Sequence, residues 1–276
     1  MSIRLIAFDL DGTLLDEKKR ISEQNLKALQ VAADNGIYLV PCTARLFRTI
    51  PREVRELPFI HYAITVNGAE VYDRDRDCAV CRAEIPAEEA EMLYDYMDKL
   101  PVIYDCYQQG RGWIDQHFYD NAEKLISDEY TLRLIRGMRT PVDNFRKTMR
   151  ERKLPIQKTQ MFFADIELKN EQMEQIKIEF PMYSVTGSLY NNIEINSGKA
   201  NKGAALAALC DYLKIDLSEC MALGDGNNDV SVLKMAGIGV AMGNAADEVK
   251  KAADHVTETN EESGVAKAIF HYALTC

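Results

Sequence analysis

No stretch of about 18 consecutive apolar residues occurs in the 276-residue chain, so no segment suits a bilayer-spanning helix. The first residues, Met1 to Phe8, run directly into Asp9 and lack the apolar length of a secretion signal, which makes a cytoplasmic protein the expectation. Low-complexity tracts and internal repeats are also missing, and hydrophobic residues at 47% are enough for a substantial core. Basic charge is in deficit, with 33 lysines and arginines against 43 acidic residues and a net charge of −10. That balance argues against a nucleic-acid or anionic-membrane surface. Histidine is scarce: His61, His117, His255 and His271 are too scattered to complete a zinc site with the single pair Cys78-Ala79-Val80-Cys81. The seven cysteines, Cys42, Cys78, Cys81, Cys106, Cys210, Cys220 and Cys276, are odd in number and dispersed. They read as free thiols in a reducing compartment.

What is present is an alternation of strands and helices in the first and last thirds. Ile3 to Phe8 has the length and composition of a buried strand. Ser22 is placed to cap a helix in which Leu26, Leu29 and Ala33 recur at helical spacing, and Gly36 to end it. Ile37 to Cys42 and Tyr62 to Val66 read as further strands. Near the end come a helix over Ala204 to Leu213, a strand over Met221 to Leu223, a helix over Val230 to Met235 and a strand over Ile238 to Met242. Such alternation implies an α/β fold, a parallel sheet with helices on both faces. The middle third differs. Acidic helical sequence at Glu88 to Lys99 precedes Tyr104 to Trp113, a long helical stretch broken at Pro141, and strand-like Gln160 to Ile166. A helix is expected over Glu171 to Phe180, and Ile193 and Ile195 alternate with polar residues as in a half-exposed antiparallel strand. Residues 84–195 are therefore expected to form an inserted α+β domain, between core segments 1–83 and 196–276.

Chemistry is concentrated in four segments. Asp9-Leu10-Asp11-Gly12-Thr13 sets two carboxylates just past a buried strand, with a glycine that permits a sharp turn. Thr43-Ala44-Arg45 offers a hydroxyl and a positive charge at a second strand end, and Gly198 to Gly203 supplies Lys199 and Lys202 as a helix opens. Gly224-Asp225-Gly226-Asn227-Asn228-Asp229 follows a third strand. Open α/β sheets place ligands at such strand ends, and carboxylates from two strands can converge on one hard cation. Each segment alone has a bland reading as a turn or a solvated helix residue. A calcium loop would need a closing acidic ligand where Arg20 and Ile21 stand. Their joint order at strand ends sets those readings aside.

Together these motifs resemble the haloacid dehalogenase superfamily, and within it the Cof-type phosphatases with a large inserted α/β cap. The resemblance spans essentially the whole chain. It includes Val66-Asn67-Gly68-Ala69, Ala241-Met242-Gly243-Asn244-Ala245 and Glu262-Ser263-Gly264-Val265-Ala266. Ala44 stands where the family usually has glycine, and Ser263 where an acidic residue is common.

The resemblance implies a Rossmann-like catalytic core, residues 1–83 and 196–276, with a cap that sets substrate specificity. It implies a magnesium-dependent phosphatase of small phosphorylated metabolites, sugar phosphates foremost. Asp9 would be the nucleophile and Asp11 the general acid and base. Mg2+ would be held by Asp9, the Asp11 carbonyl and Asp225, with Asp229 in support. Thr43, Lys202 and Asn228 would hold the phosphate. Tyr107, Gln108, Trp113, His117, Tyr190 and Glu194 are the polar and aromatic cap residues that could meet the leaving group, with cap core the more ordinary place for Trp113 and the tyrosines. A dehalogenase does not need the second aspartate, and a P-type ATPase would need membrane helices. A hexose-phosphate phosphomutase remains the alternative within this core. A non-catalytic phosphate-binding or regulatory protein is the alternative of another class.

Overall fold

Leu5, Ile6, Ala7 and Phe8 are all buried and form β1 (Leu5–Phe8), flanked on both sides by parallel neighbours. A strand covered on both faces has no polar side to present, hence the unbroken apolar run. The structure, a computed structural model, describes residues 2–274, the side chains of Leu125, Tyr130 and Leu134 excepted. Cys276, read above as a free thiol, lies outside the described residues. Along the chain β1 is followed by β2 (Tyr38–Pro41), β3 (Tyr62–Thr65), β4 (Glu70–Asp73) and β5 (Cys78–Arg82). Next come β6 (Ile103–Gln108), β7 (Arg111–Asp115), β8 (Arg139–Val142), β9 (Lys158–Phe162), β10 (Tyr183–Thr186) and β11 (Asn192–Ser197). The last strands are β12 (Cys220–Gly224), β13 (Ile238–Ala241) and β14 (His255–Val256). No helix among the described residues is long and apolar enough to cross a membrane.

The described residues of Met1–Arg82 and Asn201–Cys276 form one compact unit, and Ala83–Ala200 form a second. The sequence reading put the divisions at 83/84 and 195/196. Strand β11 runs on to Ser197, so residues 196–200 stay with the second unit.

In the first unit the strands order β14-β13-β12-β1-β2 as a parallel sheet, and β3-β4-β5 form a small antiparallel sheet. One face of the parallel sheet packs Ile6, Phe8, Leu39 and Leu223 against Ala28, Leu29 and Ala32 of the helix Glu23–Asp34. The other packs Leu5, Ala7, Val40 and Ala222 against Leu206 and Leu209 of the helix Lys202–Leu213. Ser22 caps the helix Glu23–Asp34 as anticipated, but the buried stripe is Asn25, Ala28, Leu29 and Ala32, and Leu26 is exposed. Asn25 takes the inner position because its amide is fully used, donating to the Leu14 carbonyl and accepting from the Ala266 N–H.

The second unit is built on a six-stranded sheet ordered β10-β11-β9-β6-β7-β8, antiparallel except for the β7–β8 pair. Tyr104, Cys106, Met161, Ile193 and Ile195 share one apolar face. Ile166 opens the helix Ile166–Glu179 under an Asp165 cap, instead of ending a strand. The expectation of a half-exposed strand at Ile193 and Ile195 is also corrected. Asn192, Glu194 and Asn196, on the opposite face of β11, are all buried. Glu194 can be buried because it accepts a 2.7 Å bond from the ammonium of Lys158, itself 2% exposed, and another from the Ser188 hydroxyl. Removing one member of such a pair strands a charge in low dielectric. Glu194→Ala should therefore cost roughly 3–5 kcal/mol in urea unfolding. The double replacement Lys158→Met/Glu194→Leu should recover most of that loss. Equal destabilisation by the single and double variants would show that the pair is not what holds this face.

Candidate active site

Registry brings the motifs together. Phe8 pairs with Pro41 on one side and Leu223 on the other, so three parallel strands end level with one another. The residues that follow each strand, Asp9, Thr43 and Asp225, emerge along one edge. Two bonds stitch that edge: Asp9 N–H to the Leu223 carbonyl (3.0 Å) and Cys42 N–H to the Phe8 carbonyl (2.8 Å).

Lys202 reaches the same place from the first turn of its helix, which Asn201 caps through the Ala204 N–H. Its side chain is completely buried, and its ammonium donates to Asp9 Oδ1 at 2.8 Å and to Asp229 Oδ1 at 2.5 Å. Asp229 uses its other oxygen to accept the N–H groups of Asp225 and Gly226. Asp225 Oδ1 accepts the Thr13 hydroxyl at 2.7 Å. Gly12 is the residue that lets the first loop lie against Asp225: its φ is +86°, and a Cβ there would stand 2.3 Å from Asp225 Oδ2.

Carboxylate oxygens of Asp9, Asp225 and Asp229 all lie within 4.8 Å of one another. Burial raises the Asp9 carboxyl, the neighbouring Asp229 and Asp225 charges add to it, and Lys202 opposes it. Burial likewise pushes Asp225 up to about 6, against the hydrogen bond from Thr13. Three crowded carboxylates share one ammonium, so the cluster is short of positive charge. Hard oxygen donors with an unbalanced negative charge fit a small divalent cation. Asp9 and Asp225 are the members free to hold it, because the oxygens of Asp229 already serve Lys202 and two backbone N–H groups.

Asp11 faces elsewhere. Arg45 binds it with two bonds of 2.6 and 2.8 Å, and Lys19 reaches it at 2.8 Å. Burial would raise its carboxyl, but Arg45 and Lys19 together outweigh burial and hold it at about 2. In this arrangement Asp11 is a carboxylate, and donating a proton would require it to part from Arg45. Thr43 is buried, with its hydroxyl accepting the Arg45 N–H. Asn228 donates to Asn67 Oδ1 at 3.1 Å. Asn67 sits in a turn where Val66, Asn67 and Gly68 all have positive φ, a costly conformation for a β-branched valine. Backbone bonds from Val66 to Arg45 and from Asn67 to Thr43 pin that turn to the second motif. Asn244 donates to the Gly12 carbonyl at 2.8 Å.

The cap candidates divide between the two faces of their sheet. Gln108 and Trp113 lie on the apolar side, where Gln108 is spent on the Leu154 carbonyl and Arg152, and Trp113 packs into the core. His117 and Tyr190 are exposed. Tyr107 and Glu194 lie on the other face, within a charged group that the sequence reading passed over. Asp105, Gln160 and Glu194 stand in one row across β6, β9 and β11. Arg139 crosses from β8 over Gly112 to bind Asp105 at 2.6 Å; a Cβ on Gly112 would meet Arg139 Cδ at 2.6 Å. The Arg139 guanidinium and the Lys158 ammonium lie 4.7 and 4.5 Å from the centroid of the Tyr107 ring. The Nη1 of Arg139 is buried without a partner. The only sequence signal was period-two spacing of polar residues in Asp105-Cys106-Tyr107 and Lys158-Thr159-Gln160, which reads equally as a solvated strand face.

The family model of the haloacid dehalogenase-like hydrolases matches residues 6–269. A 5-amino-6-(5-phospho-D-ribitylamino)uracil phosphatase of Bacillus subtilis is 34% identical, over 99% of this chain and 97% of its own. The phosphatase YwpJ of the same organism is 31% identical, over 98% and 99%. The crystal structure of a haloacid dehalogenase-like hydrolase from Bacteroides thetaiotaomicron superposes with a TM-score of 0.82 at 28% identity, over 98% of this chain and 99% of that one. The chain belongs to the haloacid dehalogenase-like hydrolases. It is a phosphatase, a phosphoric monoester hydrolase, and the likeness to the Cof type drawn from its motifs is borne out.

Among the described residues, Lys202 is the one cation in contact with two buried carboxylates. The folded-state value of Asp9 lies above that of an unfolded aspartate, so ionising Asp9 costs stability as pH rises, and Lys202 offsets that cost. Lys202→Met should lose roughly 3–5 kcal/mol at pH 10 without metal, where Asp9 is ionised, and clearly less at pH 5, where Asp9 keeps its proton. Urea unfolding at the two pH values checks this; an equal loss at both would mean that Lys202 acts by packing alone.

Proposed function

We propose that the chain is a magnesium-dependent phosphatase that hydrolyses small phosphorylated metabolites through an aspartyl-phosphate on Asp9. The observation that carries this reading is the meeting of Asp9, Lys202, Asp225 and Asp229 at one edge of the parallel sheet. An Asp9 oxygen attacks phosphorus, the ester oxygen leaves, and water then cleaves the acyl phosphate, so one difficult displacement becomes two easier ones. Lys202, Thr43 and Asn228 hold phosphate oxygens in this scheme. Asp11 protonates the leaving alcohol and deprotonates the attacking water. The clamp by Arg45 keeps Asp11 ionised but weak as a base, so both tasks call for the clamp to open. Asp9, Asp225 and the Asp11 carbonyl are the groups that would hold Mg2+, with Asp229 in support. The ion, when bound, would neutralise charge on the transferring phosphoryl group.

For the leaving group we infer a sugar or polyol phosphate bearing a neutral, carbonyl-containing head. The relative named for a phosphoribitylamino-uracil supports a phosphate carried on a polyol chain. The balanced face of the second unit, two cations against two carboxylates with an unpartnered Arg139 donor, supports a neutral head rich in acceptors. The test is a phosphate-release panel of phosphorylated metabolites with Mg2+. Arg139→Lys keeps a cation beside Asp105 and removes the free donor. It should raise KM for the best substrate about tenfold while leaving p-nitrophenyl phosphate within about twofold, since one good hydrogen bond is worth roughly 1–1.5 kcal/mol. Equal losses on both substrates would remove this face from recognition.

Asp9→Asn should abolish phosphate release with the fold intact, and wild-type enzyme should release phosphate steadily without any bisphosphate primer. A strict need for a primer would make the chain a mutase. The two distal aspartates should separate by their effects on metal. Mg2+ at 100 times its Kd should stabilise the wild type by about 2.7 kcal/mol. Asp225→Asn should abolish that gain and leave the metal-free melting temperature unchanged or higher, because it removes a crowded, buried charge. Asp229→Ala should instead lower the metal-free melting temperature, by stranding Lys202 and two N–H groups.

A further inference from the structure

Outside the site, one pair of thiols among the described residues lies in contact. Cys210, on the third turn of the helix Lys202–Leu213, and Cys220, the first residue of β12, have their sulfurs 3.3 Å apart. A disulfide bond is about 2.05 Å long, so bonding asks for about 1.2 Å of approach between two side chains already aimed at each other. The other described cysteines show no such pairing. Cys106 contacts Met149, Cys42 is a buried thiol that burial pushes up, and Cys78 is exposed.

The connection between the two thiols is tight and shallow. Lys214 turns the chain in the left-handed region at φ 58°, and the single turn Leu217–Glu219 is capped by Asp216. The Cys220 sulfur also lies 3.6 Å from the Asp216 carbonyl, beneath the exposed residues Asp216 and Ser218. Both sulfurs are buried, so a small oxidant reaches them when this exposed turn opens. Cys220 pairs with Leu5 at the start of the parallel strands, the end opposite to Asp225. The pair thus joins the helix that carries Lys202 to the strand that leads to Asp225 without touching either.

We propose that Cys210 and Cys220 are a reversible redox modification site, converted by hydrogen peroxide to an intramolecular disulfide and returned to thiols by a dithiol. One of the two sulfurs, as thiolate, attacks one peroxide oxygen, breaks the O–O bond and becomes a sulfenic acid, with hydroxide leaving. The other sulfur then attacks it, loses its proton and expels the sulfenic oxygen as water. Two thiols and one peroxide give one disulfide and two waters. Either sulfur can donate in their 3.3 Å contact, so the geometry admits either as the attacking sulfur with the other to resolve it.

Peptide mapping of the peroxide-treated full chain without reductant should yield one cross-linked species joining the Cys210 and Cys220 peptides, about 2 Da lighter than their sum. Dithiothreitol should restore both to alkylatable thiols, and Cys42 should remain a thiol throughout. Cys210→Ser and Cys220→Ser should each lose the cross-link, and at least one of them should stop at a sulfenic acid trapped by dimedone. Both thiols of the wild type still alkylating after peroxide, or either cross-linking to a different cysteine, would overturn the proposal. So would sulfinic acid on either thiol of the wild type without any cross-link. The wild-type map is decisive even if a serine variant fails to fold.

Discussion

A fully buried ammonium between two buried carboxylates organises the catalytic unit. Lys202 has no solvent to share its charge, so its stability depends on Asp9 and Asp229 being where they are. Those carboxylates are in turn tolerable in the interior only because Lys202 faces them. Asp229 extends the dependence further. By accepting the Asp225 and Gly226 N–H groups it shapes the loop that presents Asp225. One ammonium, through two ionic contacts, therefore couples the ends of β1 and β12 and the start of a helix, three elements far apart in the chain. It leaves the cluster negative overall, which is what a phosphatase site needs if a cation is to join it.

Sheet registry supplies the precision that the ionic contact alone lacks. Because β1, β2 and β12 end level, the loops after them need only one or two residues to bring Asp9, Thr43 and Asp225 to a common edge. Short connections from a rigid sheet leave the side chains little freedom. The strained Val66–Asn67–Gly68 turn is held on the Thr43–Arg45 loop by backbone bonds, and it positions Asn67 to receive Asn228. The Arg45 hold on Asp11 adds a conformational requirement to the chemistry. In the proposed mechanism Asp11 is stored as an ionised carboxylate until that hold changes.

The second unit uses charge in a different way. Its sheet is apolar on one face, and on the other a charged group stands beside the apolar Ile103, Ile114 and Phe162, yet both faces are buried. Gly112 is the small residue that lets Arg139 pass across β7 to Asp105, and Tyr107 lies between the two cations. Burying four charges to hold one sheet together is poor economy when apolar side chains of similar volume would serve.

Much of the catalytic unit was legible in the amino-acid sequence. Unbroken apolar runs mark strands covered on both faces, and acidic or glycine-rich motifs directly after them mark ligand loops. Local composition suffices there because strand, turn and motif are contiguous. The sequence also indicated that Asp9, Thr43, Lys202 and Asp225 belong to one site, though only through their order. It did not indicate that Asp11 faces Arg45 and Lys19, since that choice is made by charges 34 and 8 residues away meeting in space. Nor did it distinguish a solvated from a buried polar strand face. Asp105, Lys158, Gln160 and Glu194 alternate with apolar residues in either case, and only partners on neighbouring strands decide whether the polar side can be enclosed. Local pattern thus determined the strands and the catalytic loops. Tertiary structure alone decided which charges neutralise one another, because that depends on distances between segments that no local pattern encodes.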